Sequence, residues 1–145
     1  MRECVNAMRI LVISFLLAIG VLAGCEDQGG DSVVPLDKEV SVRIDRKYTV
    51  YPNLSFEVDE VNDSRCPRGV ICIWQGEAVV WVRVFESAQI QAGEAERLKL
   101  STHKPRSQTY QDYRFELIDV KPYPDIEKEY DREDIRVVLK ITRDQ

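Results

Sequence analysis

Leu54-Ser-Phe-Glu-Val-Asp59 alternates apolar and polar residues with period two. Successive side chains of a β-strand point to opposite faces, so this pattern predicts a strand with one buried and one wet face. The same alternation recurs on both sides of it. Val40, Val42 and Ile44 alternate with Ser41, Arg43 and Asp45. Tyr48 and Val50 follow, before a turn signal at Pro52-Asn53. Downstream, Ala78-Val-Val-Trp-Val-Arg-Val-Phe85 is apolar on both faces. It reads as a central strand covered on both sides, or as a strand with one face partly exposed to a partner. Leu98 and Leu100 mark a shorter strand. Tyr113, Phe115 and Leu117 mark the next, where Ile118 and Val120 change parity and signal a bulge. Ile135, Val137, Leu139 and Ile141 complete the set. About seven strands at such spacings predict an all-β fold, a single antiparallel β-sandwich spanning residues 38–143. The helix formers of 88–98 are interrupted by Gly93, and that stretch is expected to be a connection.

Ahead of the sandwich lies Ile10-Leu-Val-Ile-Ser-Phe-Leu-Leu-Ala-Ile-Gly-Val-Leu-Ala23, followed by Gly24-Cys25. This apolar run is too short for a membrane-spanning helix, which needs about 20 residues. It follows Arg2 and Arg9 and ends in small residues, which fits a secretory signal better than a buried core helix. Met8-Arg9-Ile10 would serve as an alternative start. Leu22-Ala-Gly-Cys25 reads as a lipobox. Residues 1–24 are then removed, and Cys25 carries the lipid. Residues 25–37, with Gly29-Gly30 and polar neighbours, are expected to form a flexible tether. The expected location is the bacterial cell envelope, with the bilayer as a partner through Cys25.

Without residues 1–24, which hold two Arg and one Glu, the chain carries 18 basic and 24 acidic residues, a net charge of −6. Such a balance argues against nucleic acid, whose binding rests on cationic neutralisation of phosphates. It also argues against a polybasic membrane patch.

Cys4 leaves with the signal and Cys25 is acylated, so Cys66 and Cys72 remain. In an oxidising compartment they are expected to form a disulfide. The bridge closes a loop with Pro67 and Gly69 as bends. Trp74 is expected to pack over the disulfide, and Gly76 to allow a sharp entry into the strand at Ala78. Arg65 and Arg68 are expected to point outward. Arg65, Pro67, Arg68, Gly69 and Trp74 thus form a candidate recognition loop, and Arg68 could serve an inhibitor of an exported protease or other hydrolase.

From Asp63 to Ala78 the chain resembles an uncharacterised family of small exported bacterial proteins, many of them lipoproteins. Their pattern is Asp-Ser-Arg-Cys-Pro-x-x-Val-x-Cys-x-Trp-x-Gly-x-Ala. Phe56-Glu57-Val58 and Leu117-x-x-Val120-x-Pro122-Tyr123-Pro124 also resemble the family. The resemblance implies export and a β fold, and it implies no catalytic residue.

Catalytic signals are weak. His103 is the sole histidine, in an expected surface loop Ser101-Thr-His-Lys-Pro105, and supplies no triad. The Cys66–Cys72 spacing is neither that of a zinc site nor that of a thioredoxin-like motif. The acidic segment 125–134 has oxygen ligands enough for calcium but lacks the EF-hand spacing. Lys128 and Arg132 interleave it, so it reads as a solvated loop. No cofactor and no metal are expected. The chain is read as a non-enzymatic binding or envelope-associated module.

Overall fold

The computed structural model describes residues 32–50, 52–86 and 95–144. The signal segment, Cys25 and the first part of the tether lie outside the described residues. Strands form where the period-two pattern places them: β2 Glu39–Arg43, β3 Lys47–Val50, β4 Leu54–Asp63, β5 Ala78–Glu86, β6 Glu96–Ser101, β8 Tyr113–Lys121 and β9 Arg136–Arg143. Two more complete the set, β1 Ser32–Val33 and β7 Ser107–Tyr110. Among the described residues a 3-10 turn spans Arg132–Asp134.

These strands make two sheets, in the orders β1-β3-β4-β5-β6 and β2-β9-β8-β7. The inner faces meet in one apolar core. Phe56, Val58, Val80, Val82, Val84 and Leu100 come from the first sheet. Val42, Phe115, Leu117, Val137, Leu139 and Ile141 come from the second, and all twelve are fully buried. Phe56 and Phe115 meet edge to face at 5.5 Å between ring centroids, joining the two layers. Such contacts add to the area term that dominates core stability.

The fold is the expected β-sandwich, with three differences. The pairing is antiparallel except that β1 runs parallel to β3, with Ser32 opposite Tyr48. Strand β7 is a polar edge element, Ser-Gln-Thr-Tyr, which carries no apolar alternation to announce it. The folded body also begins before residue 38. Residues 32–37, expected as the end of the tether, are docked. Val34 joins the core, its amide donates to the Thr49 carbonyl at 2.9 Å, and the Asp37 amide donates to Ile141 at 2.8 Å. Burial of Val34, with Leu36 packed beside it, outweighs the local preference for a loop.

Two irregularities shape the end of the sandwich that matters below. The β8–β9 register shifts between Leu117 and Asp119, at the parity change seen in the sequence, so Leu117 and Val120 both face the core. The β4–β5 register shifts between Val58 and Glu60. On the outer face of β5 the apolar residues are covered by long cationic side chains. Arg97 lies 4.3 Å over the Trp81 ring, and Lys47 lies 5.2 Å over Phe85. The cationic groups themselves lie over the rings, and Arg97 also pairs with Asp59 and Glu60. Hence the outer face of β5 is partly exposed rather than covered by another layer.

Candidate recognition loop

The loop joins β4 to β5 and first continues their ladder. The Ser64 amide donates to the Glu77 carbonyl and the Cys66 amide to the Gln75 carbonyl, both at 2.9 Å. The Ser64 hydroxyl adds a bond to the same Glu77 carbonyl at 2.8 Å. Gly76 makes this approach possible. It has φ +66°, and a Cβ there would stand 1.9 Å from the Ser64 carbonyl oxygen. Only glycine fits such a backbone contact. Cys66 and Cys72 are joined by a disulfide, with Cα atoms 5.9 Å apart.

The loop is held to the second sheet by one side chain. Arg65, expected to point outward, is buried with 8 % exposure. Its Nε donates to Asp63 Oδ1 at 2.8 Å, and its Nη2 donates to Asp63 Oδ2 at 2.5 Å. The same Nη2 reaches the Val120 carbonyl at 2.7 Å, and Nη1 faces Asp119 at 3.4 Å. The guanidinium lies 4.6 Å over the Tyr123 ring. Period two explains the inward turn. Asp63 and Arg65 share a face, so the carboxylate draws the guanidinium toward β8. Burial lowers the pKa of Arg65, but hydrogen bonding to Asp63 and the charges of Asp63 and Asp119 outweigh it, and the net shift is upward. The clamp therefore holds a permanent cation.

Arg68 keeps its side chain exposed, 5.4 Å over the other partner of this cluster, the Tyr123 ring. Its backbone is occupied. The Arg68 amide donates to the Pro124 carbonyl at 2.9 Å, and its carbonyl accepts from the Ile126 amide at 3.4 Å. Pro67 is half-buried beside it. Gly69, at φ +89°, turns the chain against the Ile126 side chain, 3.0 Å from where a Cβ would be.

Trp74 does not cover the disulfide. It is 83 % exposed, beside Ile71 at 103 % and Ile73 at 95 %. Beyond the Cys66–Gln75 rung, Arg68 and Gly69 rest on Tyr123 and Ile126, while Val70, Ile71, Ile73 and Trp74 stay exposed. The bridged loop therefore presents a stapled apolar tip on a polar, hydrogen-bonded base.

Of the remaining sequence candidates, the acidic segment touches the loop only at its start, through Asp125 and Ile126. His103 is exposed, and its amide donates to the Ser101 hydroxyl at 2.9 Å. Ser101 also donates to the Glu77 carboxylate in a short contact. The acidic segment is mostly exposed and partly self-bonded, with the Glu127 amide on Asp125 at 3.0 Å and the Asp131 amide on Asp134 at 3.1 Å. Among the described residues, no three or more His, Cys, Asp or Glu converge as metal ligands. The residues missed from the sequence are Asp119 and Tyr123. The available signal was that 63–78 and 117–124, the two longest stretches carrying the resemblance, could be partners; they meet through Arg65.

Comparison with protein-family models, curated proteins and solved structures gives no match to this chain.

Proposed function

We propose that this chain is a bacterial envelope lipoprotein, anchored by lipid on Cys25, whose sandwich is a non-catalytic binding module. Its contact surface is the apolar tip of the bridged loop. The observation that carries this reading is the near-complete exposure of Ile71, Ile73 and Trp74 on a loop held rigid at its base. Contiguous exposed apolar side chains mark contact sites, and a preorganised loop loses little freedom on binding. The polar residues of the motif support the reading from the other side. Asp63, Ser64 and Arg65 are committed to holding the loop. The disulfide fits an exported, oxidising setting. The signal run and lipobox supply the address.

The backbone of Arg68 weighs against the inhibitor alternative. Presenting Arg68 to a protease cleft requires a main chain free to pair with the enzyme, and both of its groups bond to 124–126.

The test has two parts. Mass spectrometry of the amino-terminal peptide of the full chain, purified from membranes, reads acylation at Cys25. A photo-crosslinking residue at position 74, compared with one at exposed Thr109 on β7, reads the contact surface. Adducts at 74 and none at 109 support the reading. Adducts at 109 alone overturn the choice of surface.

A further inference from the structure

Among the described residues the exposed large apolar side chains cluster at one place. Among the described residues seven large apolar side chains are exposed, and four of them are Val70, Ile71, Ile73 and Trp74. A fifth, Ile126, lies against Gly69. Trp favours the boundary between headgroups and acyl chains, and Ile favours the hydrocarbon beneath it.

Strand direction says what this tip faces. β1 is parallel to β3, with Ser32 opposite Tyr48, and β3 is antiparallel to β4, with Tyr48 opposite Phe56. The chain therefore enters β1 from the end of the sandwich at which β4 departs into the bridged loop. Val84 is opposite Phe56 and Ala78 is opposite Asp63, so that end lies six residue steps from Ser32, about 20 Å. The rungs at Ser64–Glu77 and Cys66–Gln75 carry the loop about 10 Å farther. Seven residue steps separate Cys25 from Ser32, at most about 25 Å of extended chain. The loop thus projects toward the point of entry at least as far as the tether can lift the domain.

We infer that the tip formed by Val70, Ile71, Ile73 and Trp74 inserts into the lipid surface that holds the anchor. This inference rests on the reading of Cys25 as the lipidated residue and names the partner of the same loop. The disulfide keeps the apolar side chains directed outward. The Asp63–Arg65–Val120 clamp transmits that contact to both sheets, so insertion fixes the orientation of the whole sandwich on the membrane.

The experiment uses the full chain carrying Trp81→Phe, which leaves Trp74 as the one tryptophan. The protein is reconstituted in phosphatidylcholine vesicles, with or without bromine on the upper acyl chain. Trp74 emission is expected to be blue-shifted on either kind of vesicle relative to buffer, and to be quenched in the brominated vesicles relative to the unbrominated ones. Ile71→Ser with Ile73→Ser, both at fully exposed positions, is expected to reduce that quenching while the fold persists. Equal emission in both kinds of vesicle overturns the inference. So does a Trp74 that is untouched by bromine yet shielded from aqueous iodide in native envelope vesicles, which assigns the tip to a protein. The amino-terminal mass separates the two readings. Unacylated Cys25 with quenched Trp74 removes the anchor and keeps insertion. Acylated Cys25 with unquenched Trp74 keeps the anchor and removes insertion.

Discussion

The Nη2 of Arg65 donates to the backbone carbonyl of Val120 at 2.7 Å, across 55 residues of sequence. Arg65 lies two residues past the end of β4 in the first sheet, and Val120 lies near the end of β8 in the second. One guanidinium therefore closes the end of the sandwich beneath the bridged loop. Removing it takes the guanidinium from the Val120 carbonyl and leaves the Asp63 carboxylate only the Arg65 backbone amide, at 3.1 Å, of the bonds Arg65 gives it. Arg65→Ala is expected to cost about 3 kcal/mol, the lower end of the range for a broken buried pair, because Asp63 retains some solvent. Arg65→Lys is expected to recover less than half of that, since an ammonium cannot serve the carboxylate fork and the carbonyl together. Urea midpoints of the two variants check both.

Gly76→Ala is expected to be worse than its size suggests. The positive φ alone costs about 1–2 kcal/mol for an L-residue. The contact with the Ser64 carbonyl must also be relieved by moving backbone. A total of about 3 kcal/mol or more is expected. Gly69→Ala meets only the end of the Ile126 side chain, so its cost is expected to stay near about 1–2 kcal/mol. Thermal unfolding of the pair tests the contrast.

Cys66→Ser with Cys72→Ser opens a loop with a sequence separation of 6. Chain entropy for so short a closure amounts to about 2–2.5 kcal/mol. The expected signature is local. Amides of 67–74 exchange faster, while those of β4, β5, β8 and β9 keep their relative order of protection.

Phe115→Ala removes the ring that meets Phe56 between the layers and is expected to cost about 3–5 kcal/mol. Ile71→Ser and Ile73→Ser are expected to change stability by less than about 0.5 kcal/mol each, because neither side chain loses contact with the core. Guanidinium titration of the three variants separates core from tip residues of similar hydrophobicity.

The strands were legible because a two-layer sandwich with wet outer faces imposes period two on its sequence. Even the β8 register shift was visible, since Leu117 and Val120 break parity to keep facing the core. Strand β7 was not legible, because an edge strand of Ser-Gln-Thr-Tyr buries too little for alternation. The docking of Val34 depends on a site made by distant strands. Arg65 and Trp74 were read the wrong way round for a common reason. Composition places a charge outside and an indole inside, whereas here Asp63, Asp119 and the Val120 carbonyl hold the charge inside. The projection of the loop leaves the indole nothing to pack on. The disulfide followed from the cysteine count, but the direction of the side chains it staples did not.

The parallel docking of β1 on β3 also sets how the domain bears mechanical load. Tension arriving through the amino-terminal side pulls β1 along its own axis. The bonds that hold Ser32–Val33 beside Tyr48–Thr49, and the Val34 amide on Thr49, then share the load in shear. A strand leaving across the ladder would instead be peeled away one bond at a time. A two-residue strand can thus serve as a strain relief between the chain that precedes Ser32 and the core.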